Sequence, residues 1–199
     1  MPDRFLIVGL GNPGREYREN RHNVGFRTVD ALAAKMGVAF TRRQSDALYA
    51  TGNVGQAPVV LAKPQRYMNL SGRPVASLTR FYDIPLERLL VIFDEIDLPL
   101  GTLRLRPEGG TAGHGGMQSI VEALGTQAFP RLRIGVGRPP GRKGAANYVL
   151  QDFDEDEQPM LTETIDRAVA AVEVFVLEGI DAAMNRFNRE VGGRDGETG

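Results

Sequence analysis

Three short runs of branched and aromatic residues constrain this chain more than any other feature of it. Phe5-Leu6-Ile7-Val8, Val59-Val60-Leu61-Ala62 and Leu89-Leu90-Val91-Ile92-Phe93 are apolar throughout, with no polar alternation. A strand of that kind needs both of its faces covered, which is the situation of an inner strand in an α/β sheet. The intervening segments supply the cover. Phe26, Val29, Ala33 and Met36 recur at helical spacing between Val24 and Met36, with Gly37 as the stop. Val75, Leu78, Phe81 and Tyr82 outline a second helical face, and Pro85 follows its end. TLRLR alternates, with Leu103 and Leu105 on one side and Arg104 and Arg106 on the other. A helix through Met117, Ile120, Val121 and Leu124 then leads to a strand in LRIGVG, and RPPGRKGAANY reads as a polar, basic loop. Leu161, Ile165, Val169, Val172 and Phe175 predict a long helix, and Met184 and Phe187 a short one after it. The alternation predicts α/β architecture: a single three-layer domain over residues 1–191, with a twisted mixed β-sheet surrounded by helices. GGRDGETG, residues 192–199, reads as a disordered tail.

Bulk properties narrow the function classes. A chain of 199 residues with 42% hydrophobic side chains has room for one sizeable core. No apolar run is long enough to span a bilayer, so no membrane partner is expected. The apolar stretch near the N-terminus is too short for a signal peptide and runs at once into a Gly-Pro turn. The chain has no cysteine, which excludes disulfides, thiolate nucleophiles and zinc–sulfur sites and fits a cytoplasmic protein. The net charge of −1 hides an asymmetry: residues 104–143 carry +5 and residues 152–199 carry −9. A basic stretch of this kind lets an acidic protein bind a polyanion, provided other features point the same way.

Gly9-Leu10-Gly11-Asn12-Pro13-Gly14 spells G-x-G-x-x-G, the turn that cradles a dinucleotide pyrophosphate. That turn requires a helix to begin at its later glycines, but REYRENRHN follows and has no apolar face. No acidic residue ends a second strand at the required distance either. The context therefore argues against a nicotinamide-dependent oxidoreductase. What remains is a strand end presenting Asn12 and a polar loop carrying His22.

The only histidines are His22 and His114, both in polar, glycine- or asparagine-rich surroundings. The strand ending at Phe93 delivers Asp94 at its carboxyl end, where α/β proteins place functional groups. An aspartate accepting from one imidazole nitrogen leaves the other free to act as a general base. The four serines lie in no serine-hydrolase motif, so the simplest nucleophile for such a base is water. Asn12 and Asn69 read equally as donors to a developing oxyanion and as turn caps. Asp94, Glu95 and Asp97 invite a metal site, but an extended strand end points them in different directions and no histidine pair supports them. Tyr67 and Met68 read either as a wall for a base to stack on or as core.

Together GLGNPGREYRENRHNVGF, KPQRYMNLSG, DEIDLPLGTLRLRPEGGTAGHGG and LRIGVGRP closely resemble the bacterial peptidyl-tRNA hydrolases, in order, from about Phe5 to Gly137. The resemblance implies a monomeric α/β enzyme without metal or cofactor. It would hydrolyse the ester joining a peptide to its tRNA and so recycle tRNA from prematurely released peptidyl-tRNA. It also implies His22 as the catalytic base, Asp94 as the acid that orients it, and Asn12 and Asn69 as residues that place the substrate. Tyr17 and Tyr67 match contacts to the tRNA 3′ end, Met68 lines the same cleft, and His114 belongs to the substrate-binding set. Arg104, Arg106 and Arg133 match basic positions that meet tRNA phosphates. Two positions depart from the family pattern. Gly115 stands where an asparagine usually follows the histidine, and Phe93 stands where a histidine often precedes the aspartate. The loss at Gly115 keeps one alternative open, a non-catalytic RNA-binding protein on the same fold.

Overall fold

The computed structural model describes residues 3–141 and 144–189. The strands expected first form the middle of the sheet: β1 (Phe5–Gly9), β4 (Ala57–Pro64) and β5 (Leu89–Glu95). β1 pairs in parallel with β4 on one side and with β5 on the other, and β7 (Arg131–Gly135) continues in parallel beyond β5. Alternate side chains enter two cores. Ile7, Leu90 and Ile92 point to one and Leu6, Val8, Val91 and Phe93 to the other, so the strands are apolar on both faces.

The first core is covered by α1 (Val24–Met36), α5 (Gln158–Glu178) and α6 (Ile180–Phe187). The second is covered by α2 (Gly72–Phe81) and α3 (Gly115–Leu124). This is the three-layer α/β arrangement read from the pattern; with β2 (Arg42–Gln44), β3 (Ala47–Val54) and β6 (Leu103–Arg106) added, the mixed sheet runs in the order β2-β3-β4-β1-β5-β7-β6. No helix among the described residues is long and apolar enough to cross a membrane.

Three local readings change. The hairpin of β2 (Arg42–Gln44) and β3 (Ala47–Val54) went unseen because an outer antiparallel ribbon need not be apolar, and this one mixes arginine, threonine and asparagine. Its tight turn uses Ser45 and Asp46, both at positive φ, without the Asn-Gly spelling that announces such a turn. Phe81 is 58% exposed and does not belong to the buried face of α2. At about 100° per residue it lies roughly 120° around the helix from Val75. The basic stretch expected to be loop contains a short helix, α4 (Ala145–Val149). The tail expected from residue 192 lies outside the described residues.

The glycines of GLGNPG serve packing. A Cβ on Gly9 would stand 2.2 Å from the carbonyl oxygen of Gly25, and one on Gly25 would strike Leu10 and Ile92, so α1 crosses the end of β1 in backbone contact. Gly14 holds φ 116°, a conformation that favours glycine. The helix begins only at Val24, ten residues past Gly14, after two single-turn segments at Arg15–Tyr17 and Arg21–Asn23. That is the geometry that argued against a pyrophosphate turn.

Candidate active site

Asp94 lies at the carboxyl end of β5 with its neighbour in the sheet, β1, feeding the loop that carries His22. Its two oxygens are divided between the two histidines. His22 Nδ1 lies 2.7 Å from Oδ2 and His114 Nε2 lies 2.8 Å from Oδ1. Burial by itself pushes the Asp94 carboxyl up, but His114 and His22 outweigh burial and hold it well below the usual carboxylate range. The carboxylate is thus an acceptor only, and both histidines donate to it.

These bonds fix the histidine tautomers. His114 caps α3 by accepting the Met117 N–H at Nδ1, so both of its ring nitrogens are engaged. His22 spends Nδ1 on Asp94, which leaves Nε2 as its remaining nitrogen. His22 is the more open of the two and lines the cleft. The His114 ring stands 5.0 Å from that of His22 and 5.0 Å edge-on from that of Phe93. Phe93 is therefore an apolar wall behind His114.

Sequence reasoning did not foresee that both histidines would converge on one aspartate, because 92 residues separate them. The three ligand atoms lie within 4.8 Å of one another, a spacing that a cation would also accept. Both histidine nitrogens facing Asp94 are already committed to hydrogen bonds, so a cation there would have to displace both. Glu95 and Asp97, weighed with Asp94 as ligands, are outside the cluster.

Asn12 is set by two neighbours. Asn23 accepts the Asn12 N–H and donates to the Asn12 carbonyl, both at 2.9 Å. The Asn12 side-chain oxygen accepts the Met68 N–H at 2.7 Å, leaving its amide nitrogen as the remaining polar atom. Asn12 is buried, and together with Tyr17, His22, Tyr67, Met68, Asn69, Gly115 and Leu150 it lines one cleft of about 350 Å³. Seven of the eight residues singled out around the chemistry and the tRNA end thus meet at the same cleft or behind it through Asp94, and His114 is reached through that aspartate.

The three arginines lie elsewhere, on the far edge of the sheet. Arg104 on β6 (Leu103–Arg106) stands directly opposite Arg133 on β7. Among the described residues neither they nor Arg106 come within 4.0 Å of a carboxylate. Like charges facing each other across a ladder are unfavourable unless an anion answers them. Two other members of the basic stretch do not contribute. Arg138 pairs with Asp97. Arg131 is fully buried, caged by the carbonyls of Gly109, Gly110, Gln127 and Phe129, and burial with the neighbouring Arg133 pushes it down to about 10.

Arg21 is a residue the pattern reading missed. It is 2% exposed, donates to the Asp152 carbonyl at 2.8 Å and to Glu157 at 2.7 Å, and stacks 4.0 Å from the Tyr148 ring. Asn20 adds a bond to Asp152. Together they tie the His22 turn to the 145–157 segment, whose Leu150 walls the cleft and whose Val149 lines the neighbouring cavity. A buried arginine in a polar loop has no periodicity to betray it.

The comparisons with known proteins agree with this geometry. The family model described as peptidyl-tRNA hydrolase matches residues 6–194. The chain is 51% identical over 185 residues to the peptidyl-tRNA hydrolase of Chloroflexus aurantiacus, covering 92% of this chain and 98% of that one. It is 48% identical to the peptidyl-tRNA hydrolase of Mycobacterium ulcerans, covering 94% and 99%. The crystal structure of peptidyl-tRNA hydrolase from Acinetobacter baumannii superposes with a TM-score of 0.88 at 38% identity, over 94% of this chain and 96% of that one.

Proposed function

Because the chain belongs to the peptidyl-tRNA hydrolase family, and hydrolysis of peptidyl-tRNA is its activity, we propose that His22 is the general base of that reaction and Asp94 the group that orients it. The observation that carries the reading is the 2.7 Å bond from His22 Nδ1 to Asp94 Oδ2 at the wall of the cleft. With Nδ1–H fixed on the carboxylate, the lone pair at Nε2 takes a proton from water as the water oxygen bonds to the ester carbon. The imidazolium that forms is stabilised by Asp94. It returns the proton to the tRNA 3′-oxygen as the carbon–oxygen ester bond breaks, giving free tRNA and a peptide with a carboxyl terminus.

Asn12 and Asn69 serve the carbonyl. The Asn12 oxygen is committed to Met68, so its amide hydrogens are the part available to a developing oxyanion. Tyr67, 61% exposed at the rim, and Tyr17 offer rings to the bases of the tRNA 3′ end, with Met68 beneath. His114 acts on the substrate only through Asp94. Arg104, Arg106 and Arg133 meet tRNA phosphates along the β6 edge, where the unanswered charge opposite Arg133 supports the assignment. As part of the same reading the enzyme works as a monomer in the cytoplasm, as one domain over residues 1–191.

The test is cleavage of N-acetyl-aminoacyl-tRNA beside unblocked aminoacyl-tRNA, by wild type and His22→Ala. Selective cleavage of the blocked ester, lost in the variant while tRNA affinity persists, supports the roles given. An active His22→Ala enzyme would overturn them.

A further inference from the structure

Three cavities lie in a row across the carboxyl ends of the strands. The first, about 250 Å³, is bounded by Glu95, His114 and the α4 residues Ala145 and Val149. The second is the cleft of His22, Asn12 and Tyr67, and it shares His22 and Gly115 with the first. The third, about 310 Å³, shares Asn12 with the cleft and is not used by the mechanism above.

The third cavity is basic. Arg15, Arg18, Arg27 and Lys63 line it against a single lining carboxylate, Asp30. Two of the four cations are already answered: Lys63 Nζ lies 2.6 Å from Asp30, and Arg27 Nη1 lies 3.3 Å from Glu19. Among the described residues neither Arg15 nor Arg18 lies within 4.0 Å of any carboxylate, although the Glu16 carboxylate stands between them in sequence, folded beside Gly14. Pro13, Phe26 and Leu48 give the same cavity an apolar wall. Two unanswered guanidinium groups over an apolar wall suit a short side chain that ends in a carboxylate.

The position says which part of the substrate reaches it. The ester sits in the middle cleft, at His22. Arg104, Arg106 and Arg133 lie to one side of β1 in the sheet, on β6 and β7, whereas Leu48 and Lys63 of the third cavity lie to the other side, on β3 and β4. A substrate with its tRNA along the β6 edge therefore leads its peptide past Asn12 toward the third cavity. We propose that this cavity binds an acidic side chain of the peptide, beside the ester-linked residue, through Arg15 and Arg18, and gives the enzyme a preference for such peptides. The assignment rests on the reading above that tRNA lies along the β6 edge.

The experiment compares kcat/KM for N-acetyl-Glu-Phe-tRNA and N-acetyl-Gln-Phe-tRNA, nearly isosteric substrates, with full-length wild type and an Arg15→Ser/Arg18→Ser variant. Two partly exposed carboxylate contacts predict a Glu preference of roughly three- to tenfold in wild type, falling toward one in the variant. The ratio is insensitive to any loss of folded enzyme. A wild-type ratio of one overturns the proposal. So does a variant that loses activity equally on both substrates and on N-acetyl-Phe-tRNA with a reduced salt dependence, because the cations would then serve RNA phosphates. An Arg104→Ala/Arg133→Ala variant separates the two readings. Unchanged KM on every substrate would remove tRNA from the β6 edge, while the Glu/Gln ratio would still report on the cavity.

Discussion

Asp94 and His114, behind His22, are buried with every side-chain polar atom hydrogen-bonded, whereas Tyr67 and Asn69, on the cleft itself, stand in solvent with no side-chain hydrogen bond among the described residues. The inner wall is over-determined. Removing any one partner there leaves another buried polar group unsatisfied. The outer wall is held by its backbone turn, Met68–Leu70, which closes on itself and on Asn12 while its side chains remain uncommitted. The difference matches two tasks. Proton transfer needs groups fixed before the substrate arrives, and recognition of a stacked or flexible strand needs faces open to receive it.

Arg21→Met should cut deepest into the inner wall. It strips the donors to Asp152 and Glu157, and we expect a stability loss of about 3 kcal/mol, read as a lower melting temperature, with kcat falling in the enzyme that remains folded. Unchanged stability would mean that the 145–157 segment is not held through this residue. Tyr67→Ala addresses the other wall. Loss of one stacked base predicts a KM raised about fivefold to 100-fold, with kcat and melting temperature nearly constant. A fall in kcat alone would dissolve the distinction between the walls.

Arg104→Ala moves away from the cleft to the basic edge, and its signature is salt dependence. The slope of log affinity against log salt should shrink by about one unit for tRNA. An unchanged slope would take Arg104 out of the interface. The smallest effect belongs to Gly115→Asn, which adds, at a residue shared by the cleft and the cavity beside it, the side chain that the family resemblance implies there. A Cβ there would meet only the Asn69 Cβ, at 3.8 Å, an ordinary van der Waals contact, so the first atom of the new side chain displaces no neighbour. A severalfold lower KM for acylated tRNA would show that the missing amide is not replaced by a neighbour, and no change would show that it is.

Parts of this arrangement were legible in the sequence because they obey local rules. The inner strands are unbroken apolar runs, and the end of Leu89–Phe93 announced Asp94 at the position where such sheets carry function. His22 stood out by its polar setting. The joining of His22 and His114 through one carboxylate was not legible, because it depends on how the loop before α3 returns over β5, and no spacing rule spans that separation. Asn23 locking Asn12, and Arg21 under Tyr148, were hidden for the same reason: each is a polar contact between loops. The β2–β3 hairpin escaped because its turn residues, Ser45 and Asp46, take positive φ without glycine or asparagine.

The central claim is that His22 and Asp94 act as one unit, and single-turnover cleavage of N-acetyl-aminoacyl-tRNA by His22→Ala, Asp94→Asn and the double variant tests it most directly. The account predicts that His22→Ala lowers the rate by about 10²–10⁴-fold, and that adding Asp94→Asn costs almost nothing further. Losses that multiply in the double variant would contradict it, because Asp94 would then be acting on the substrate independently of His22.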